Sequence, residues 1–572
     1  MNYQPFEWLT FQGNYAANYW ENHTSDFRKV VQTYKYDDSP YYRSPQKSTL
    51  NDQTSRDLRN LLTASATFDK QFNDHGIKAM VGYQQEDHRY DMHKGYRENY
   101  AFPDYPVLDA GGEENQKAYG NSYEWSLRSI FGRINYDYQG KYLFEANMRY
   151  DGSSRFAEGN KWGIFPSVSA GWRISEEAFW EPIRNIVDNL KFRASWGQLG
   201  NQNVMNADNS AIDPYPFSSN VNLDTKYIFD KTISSGAAIT NMANRKITWE
   251  TTTSTDIGID ATLFGKLNIT ADYFYKVTDD ILMKLNVPLI IGMDAPSQNA
   301  GKMENRGWEV SLSYADQVGD FNYRASFNIS DVRNKILDMR GVNQTGLTVN
   351  REGYEMYSIY GLEAIGYIQP EDYDADGNYL GATQYGNFGP GDIKYKDQNG
   401  DGVINTSDYK IIGGTIPRYT FGLSLYGDYK GFDLSMLFQG VGKADGYING
   451  QGIQTFIEGG TVQEQHKDYW TPENRNAKFP RLAFNETNNM QNSSFWMRNA
   501  AYIRLKNIQL GYTLPKNVIR KTPISYLRFY VSGDNLLTID SFWDGFDVEA
   551  PIGNGGYYPQ LKTISFGVDL KF

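Results

Sequence analysis

The sequence predicts an all-β chain, an antiparallel transmembrane β-barrel, from three observations. The first is composition. Aromatic residues make up 15% of the 572 residues, with 44 Tyr, 31 Phe and 53 Gly, yet the mean hydropathy is −0.62. A membrane barrel reconciles these values, because each strand shows lipid on one face and a wet lumen on the other, with aromatic girdles at both interfaces. A secreted, Tyr-rich, sugar-binding β-protein would share that composition. The second observation is a period-two alternation of apolar and polar side chains over runs of about ten residues, enough to cross a bilayer. The third is a regular exchange of tight turns with long polar connections.

The alternation is clearest over 129–151. Ile130, Gly132, Ile134, Tyr136 and Tyr138 interleave with Ser129, Phe131, Arg133, Asn135 and Asp137. After a turn at 139–141, Tyr142, Phe144, Ala146, Met148 and Tyr150 interleave with Leu143, Glu145, Asn147, Arg149 and Asp151. Alternate side chains of a strand point to opposite faces, so each segment has one apolar face and one mostly polar, charged face. The pattern recurs at 256–261 and, beyond a turn at 263–266, at 267–276. It returns at 321–330, at 432–439 and in the last strand, where Ile564, Phe566, Val568, Leu570 and Phe572 oppose Ser565, Gly567, Asp569 and Lys571. The N-terminus reads as a strand already under way, with Leu9, Phe11, Gly13, Tyr15 and Ala17 at alternate positions.

Strands of ten residues exceed the usual soluble length. The tight turns at 139–141, 263–266 and 428–431 contrast with long connections at about 200–246, 331–418 and 440–499, expected to be extracellular loops. At roughly 40 residues per hairpin the chain supplies on the order of 14 strands. No fixed repeat points to a propeller or solenoid.

The chain has no Cys, which excludes a disulfide scaffold and thiol chemistry. A net charge of −12, with no dense basic run, argues against a nucleic-acid partner. No apolar run approaches the length of a membrane helix. The opening residues show no basic region, apolar core or cleavage site of a signal peptide, and the expectation is that the true N-terminus lies upstream.

Several stretches, in order, resemble the SusC/RagA outer-membrane family of the Bacteroidetes. They are SLRSIFGRINYDYQGKYLFEANMRYDGSSRF (126–156), GNKWGIFPSVSAGWRISEEAF (159–179), LKFRASWGQLGNQ (190–202), ITWETTTSTDIGID (247–260), NAGKMENRGWEVSL (299–312), YWTPENRNAKFPRL (469–482), YIRLKNIQLGYTLP (502–515) and LRFYVSGDNLLT (527–538). The resemblance implies the C-terminal part of a 22-stranded, plugged barrel in the bacterial outer membrane, in contact with its lipid and energised through TonB. It implies uptake of an oligosaccharide, or a peptide, with a SusD-like surface lipoprotein. The family's signal peptide, TonB-contacting segment, plug and first strands would lie before Met1. A wall lacking those strands has two unpaired edges, which lipid does not tolerate. The segment Ser565–Phe572, ending on an aromatic residue, resembles the terminal signal read by the barrel-assembly machinery. The alternatives are a siderophore-type TonB-dependent receptor and a secreted, calcium-stabilised polysaccharide-binding β-protein. The latter would need a dry core that the charged alternate positions oppose.

One local motif stands apart. Residues 397–408, DQNGDGVINTSD, follow the spacing of a calcium loop. Asp397, Asn399 and Asp401 would offer side-chain oxygens, Val403 its carbonyl, Asn405 an oxygen directly or through water, and Asp408 the closing carboxylate. Such an ion would be structural. Asn-Gly and Asp-Gly are also strong turn formers without any metal. Asp372, Asp374 and Asp376 have similar spacing but Thr383 at the twelfth place, and read as a turn. No HExxH or GxSxG motif occurs and the five His form no catalytic pattern, so no enzyme is expected. Tyr215, Phe217, Trp470, Trp496, Trp543, Tyr557 and Tyr558 lie in connections. They could stack on sugar rings or pack the loops, and the sequence defines no substrate site.

Overall fold

A computed structural model describes residues 1–205, 212–285, 287–342, 344, 346–484 and 486–572. Residues 206–211 of the connection expected at about 200–246 lie outside that set. Among the described residues seventeen strands enter the main antiparallel sheet. That exceeds the expectation of about fourteen, because hairpins such as Arg418–Tyr429 with Phe432–Lys443 use fewer residues than the average assumed. The chain forms two compact units. One comprises Met1–Ala170, Ser195–Thr253 and Asp279–Ala300, and the other Gly171–Ala194, Ser254–Thr278 and Gly301–Phe572.

In the first unit, strands Leu9–Arg28, Thr49–Phe72, His75–Glu98, Gly112–Tyr138 and Tyr142–Ser153 pair in sequence order. Two turns are short, of two and three residues. Phe72 pairs directly with His75 across Asn73, which has φ 52°. Tyr138 pairs with Tyr142 across Gln139 and Gly140, with φ 52° and 68°. Asn and Gly tolerate that left-handed region, so the sequence places them where the chain must reverse. A strand of 24 residues, such as Thr49–Phe72, extends about 80 Å, far more than the roughly ten residues a bilayer needs. Much of each long strand therefore stands outside the hydrocarbon.

The register fixes which residues share a face. Val81, Ile130, Ile134, Met148, Ile164 and Val168 are all well exposed and border one apolar surface with Ala66, Phe68 and Ala79. The opposite face is polar and tied across strands. Arg133 Nε donates to Asn147 Oδ1 at 2.6 Å, Asn147 Nδ2 to Glu145 Oε1 at 2.7 Å, and Arg149 Nη2 to Ser129 Oγ at 2.9 Å. Phe131, on this face, lies over the Cα of Gly82 directly across the ladder, where any Cβ would meet its ring.

In the second unit, strands Phe321–Asp338, Arg418–Tyr429, Phe432–Lys443, Tyr502–Thr513, Tyr526–Asp540 and Thr563–Lys571 continue the same scheme. Phe321–Asp338 also pairs with Ser297–Val318. Arg528 bridges three neighbouring strands, with Nη2 donating to Asp433 Oδ1 at 2.6 Å and Gln509 Oε1 at 2.8 Å, and Nη1 to Asp569 Oδ2 at 3.1 Å. The long connections are not featureless. Strands Phe321–Asp338 and Phe432–Lys443 run further than expected, which trims the connections to 339–417 and 444–501. Both carry small sheets, including Thr348–Val349, Ser358–Gly361 and Lys410–Gly413, and Asp445–Ile448 with Met497–Asn499.

The two faces predict opposite responses to charge. Ile134→Arg, on the apolar face, is expected to destabilise the membrane-inserted protein by about 2–4 kcal/mol, while Gln84→Arg, on the polar face, should stay within about 0.5 kcal/mol. Equilibrium unfolding in lipid vesicles, followed by Trp fluorescence, measures both.

Candidate functional site

The polar face of the first unit carries a cavity built by register. Arg59, His88 and Trp125 are cross-strand neighbours, as are Asp57, Tyr90 and Tyr123. Side chains at such positions meet on one face. His88 Nε2 lies 2.7 Å from Asp57 Oδ2, and Arg59 Nε lies 2.5 Å from Glu86 Oε1. The His88 ring stacks on Trp125 with centroids 5.2 Å apart, and Tyr90 stacks on Tyr123 at 5.0 Å. Arg155 follows the strand Tyr142–Ser153 and lays its guanidinium 4.8 Å from the Trp125 ring centre. Asp57, Arg59, His88, Tyr123, Trp125 and Arg155 border, with Gln202, Asn203 and Tyr215, a cavity of about 1030 Å³. Ligand pockets are commonly of that size and carry a few convergent polar groups. Arg155 Nε, His88 Nδ1 and Gln202 Oε1 are buried without a hydrogen-bond partner among the described residues. Sequence reasoning missed this cavity. The alternation sets each strand's inner face, but the register that brings residues 59, 88 and 125 together is not written in any one segment.

The second unit holds a dry core made by connections. Ile359, Leu362, Ile393, Tyr395, Ile404, Tyr447, Ile448, Phe479, Trp496 and Trp543 are all buried together. Trp496 Nε1 donates to Asn489 O at 3.0 Å, and Trp543 Nε1 to Trp496 O at 3.3 Å. The Arg498 guanidinium sits 3.8 Å from the Trp543 ring centre. Trp470 is also buried. These three Trp residues are therefore packing residues, and the possibility that they stack on sugar is corrected by their burial. Phe217 packs against Phe156, Phe165, Val204, Ile247 and Trp249 in the first unit. The Tyr557 hydroxyl accepts the Asp547 N–H at 2.5 Å. Only Tyr215 and Tyr558 of the seven keep well-exposed rings, and Tyr215 borders the cavity. In the stretch 469–482, Arg481 forks onto Asp392, 2.7 Å to each carboxylate oxygen, with Asp392 fully buried and also bonded by Asn489.

The loop 397–408 closes on this core through Ile404, whose N–H donates to Thr383 O at 2.8 Å. Asp397 accepts the N–H groups of Gly400 at 2.7 Å and Gly402 at 2.8 Å. Those N–H bonds, that of Gly402 foremost, hold its carboxyl below the ordinary range. Asn399 Oδ1 accepts Asp401 N–H, and Asp401 Oδ1 accepts Val403 N–H, both at 2.9 Å. Asn405 Nδ2 reaches Val403 O at 3.2 Å. Asp408 is fully buried, and its two oxygens accept the N–H groups of Gln398 and Asn405. Among the described residues no group of three or more His, Cys, Asp or Glu is placed to hold a metal. Beside the loop, Lys410 at 2.7 Å and Gln398 at 2.8 Å pull the Glu363 carboxyl down to about 2. The run Asp372, Asp374 and Asp376 is a turn, as its sequence suggested. Asp374 accepts the N–H groups of Asp376 and Asn378, and Gly377 has φ 82°.

Long antiparallel strands with one apolar and one polar face define a membrane β-barrel class. The chain belongs to the TonB dependent receptor-like, beta-barrel family, whose match covers residues 2–536, and so to the proteins of the outer membrane. A TonB-dependent receptor of Formosa agariphila is 32% identical over 78% of this chain and 46% of its own length, and another from that organism is 31% identical over 88% and 51%. The TonB-dependent receptor SusC of Bacteroides thetaiotaomicron is 28% identical over 78% of this chain and 44% of its own. The fold matches the structure titled as the RagAB peptide importer in the "open-open" state, with a TM-score of 0.82 at 23% identity, covering 100% of this chain and 60% of that one. The barrel is thus similar to SusC in sequence and to the RagAB importer in fold. The chain spans about half the length of the curated relatives it matches.

If the buried Trp residues hold the loops, Trp543→Ala should cost about 3–5 kcal/mol of loop stability. The expected readout is rapid trypsin cleavage within 444–501 while the strand segments stay protected.

Proposed function

We propose that this chain supplies much of the wall and the outer loops of a TonB-dependent importer that carries an oligosaccharide, or a peptide, across the outer membrane. The observation that carries this reading is the family match over residues 2–536, on strands whose inner face is polar and whose outer face is apolar. An inner wall of paired charges suits a hydrated cargo, and an outer aliphatic surface suits lipid. In this reading a SusD-like lipoprotein works at the outer loops. The loop core of the second unit would give such a partner a rigid surface.

We also propose that further strands, a plug and a TonB-contacting segment belong to the working protein. Two observations support this. The chain covers about half of its relatives. The strands Leu9–Arg28 and Thr563–Lys571 are mostly exposed on both faces, with Phe566 at 83%. That exposure fits strands paired on one side over most of their length, Leu9–Arg28 meeting the short strand Asn2–Phe6 on its other side only at its first residues, and a lipid-embedded edge must be paired. Ser565–Phe572 would be the segment read by the barrel-assembly machinery.

Deleting the gene in its native host should abolish growth on the cognate oligomer, and inactivating TonB should do the same. Uptake that persists without TonB would overturn the importer reading.

A structural calcium ion at 397–408 is a subsidiary reading. Its support is the spacing of Asp397, Asn399, Asp401, Val403, Asn405 and Asp408, and the local N–H bonds that orient their oxygens within one short loop. Those bonds leave each carboxylate oxygen a second lone pair, although the amides of Asn399 and Asn405 would have to turn. Millimolar calcium should then slow proteolysis within this loop, and Asp401→Ala should remove the effect. Identical cleavage in calcium and in chelator would mean a turn closed by hydrogen bonds alone.

A further inference from the structure

The cavity of the first unit contains a buried cation that no carboxylate touches among the described residues. Arg155 is 5% exposed. Its Nη1 donates to Asn203 Oδ1 at 2.9 Å, its guanidinium lies over the Trp125 ring, and its Nε has no acceptor among the described residues. No carboxylate of those residues lies within ion-pair distance of it. Of the nearby acids, Asp57 is bonded to His88 and Glu86 is paired with Arg59, while Asp213, which borders the cavity and accepts the Tyr215 N–H at 2.8 Å, acts on Arg155 only through space. A buried charge is costly unless it is paired and hydrogen-bonded. A guanidinium with a free edge is also a planar donor matched to a carboxylate.

Other features of the same cavity suit the rest of a ligand. Gln202 Oε1 is a buried acceptor with no donor. His88 Nε2 is engaged by Asp57, which leaves Nδ1 to accept from a hydroxyl or amide in the neutral ring. Tyr123, Trp125 and Tyr215 add aromatic surface to the lining among the Asn, Gln and Arg side chains.

From this we infer that the cavity binds an acidic oligomer, with Arg155 taking a carboxylate of the cargo and Gln202 and His88 receiving its hydroxyl or amide donors. This inference rests on the importer reading and narrows its cargo. The carboxylate could belong to a uronic acid or to an acidic peptide, and the test separates them.

The test uses the receptor purified at its natural length from outer membranes, in detergent. Its presence in that fraction and its heat-dependent gel mobility check the barrel reading first, so failure there is distinct from failure of the inference. Titration calorimetry then compares trigalacturonic acid, neutral galactotriose and a tripeptide of two glycines and a glutamate. One acidic probe is expected to bind more tightly than the neutral sugar, and which one it is identifies the source of the carboxylate. Arg155→Gln should weaken that binding at least tenfold. Asn203→Asp should do so as well, because it sets a carboxylate of equal size on Arg155 from within and leaves the fold intact. Acidic binding unchanged in Asn203→Asp, or no binding of either acidic probe by the unmodified protein, would overturn the proposal.

Discussion

The constraint on which the structure depends is that no backbone N–H or C=O can go unpaired in hydrocarbon. An antiparallel ladder satisfies it strand by strand, and two of the long ladders of the first unit do so with unbroken registers. Leu9 to Arg28 pairs residue for residue with Phe68 to Thr49, and Thr49 to Phe72 with Glu98 to His75. The two- and three-residue reversals at 73–74 and 139–141 follow, because they join strands without leaving backbone exposed. The alternation of side chains is the second consequence, since a single wall with lipid outside and water inside asks for opposite chemistry at successive residues.

The same constraint relaxes outside the membrane, where the chain builds differently. The long connections of the second unit bury aliphatic and aromatic side chains as a soluble domain does. They also carry buried charge with full pairing, as in Arg481 with Asp392. The cavity of the first unit departs from that rule. There the polar wall is incomplete in its hydrogen bonding at Arg155, His88 and Gln202, and functional sites are where such departures concentrate. High aromatic content thus serves three ends in one chain, as exposed surface, loop core and cavity lining.

Much of this was legible in the sequence. The hairpin at 129–151 lies in the structure with the faces and turn that its alternation specified, and the final strand runs Thr563–Lys571 as read. Period two is a local property, so local sequence carries it. Long-range placement was not legible. Trp496 and Trp543 sit in polar, turn-rich segments that look solvent-facing, and only the packing of distant connections buries them. The cavity depends on three strands, the segment after the strand Tyr142–Ser153, and residues 202–203 and 212–215, brought together across more than a hundred residues. The calcium-like loop was legible as a turn, and its hydrogen bonds account for the turn without assigning an ion.

The 572 residues contain no Cys, so a single label can be set at a chosen residue among them. Single Cys residues placed at positions 77 to 81, 83 and 84, leaving Gly82 beneath Phe131 untouched, and spin-labelled in native-length protein in lipid vesicles report contact with oxygen in lipid or with a water-soluble nickel reagent. A wall of the kind described here predicts strict alternation, with positions 77, 79, 81 and 83 reached by oxygen and positions 78, 80 and 84 reached by nickel. Loss of the alternation, or shielding of the apolar positions from lipid oxygen as in a soluble sandwich, would contradict the account.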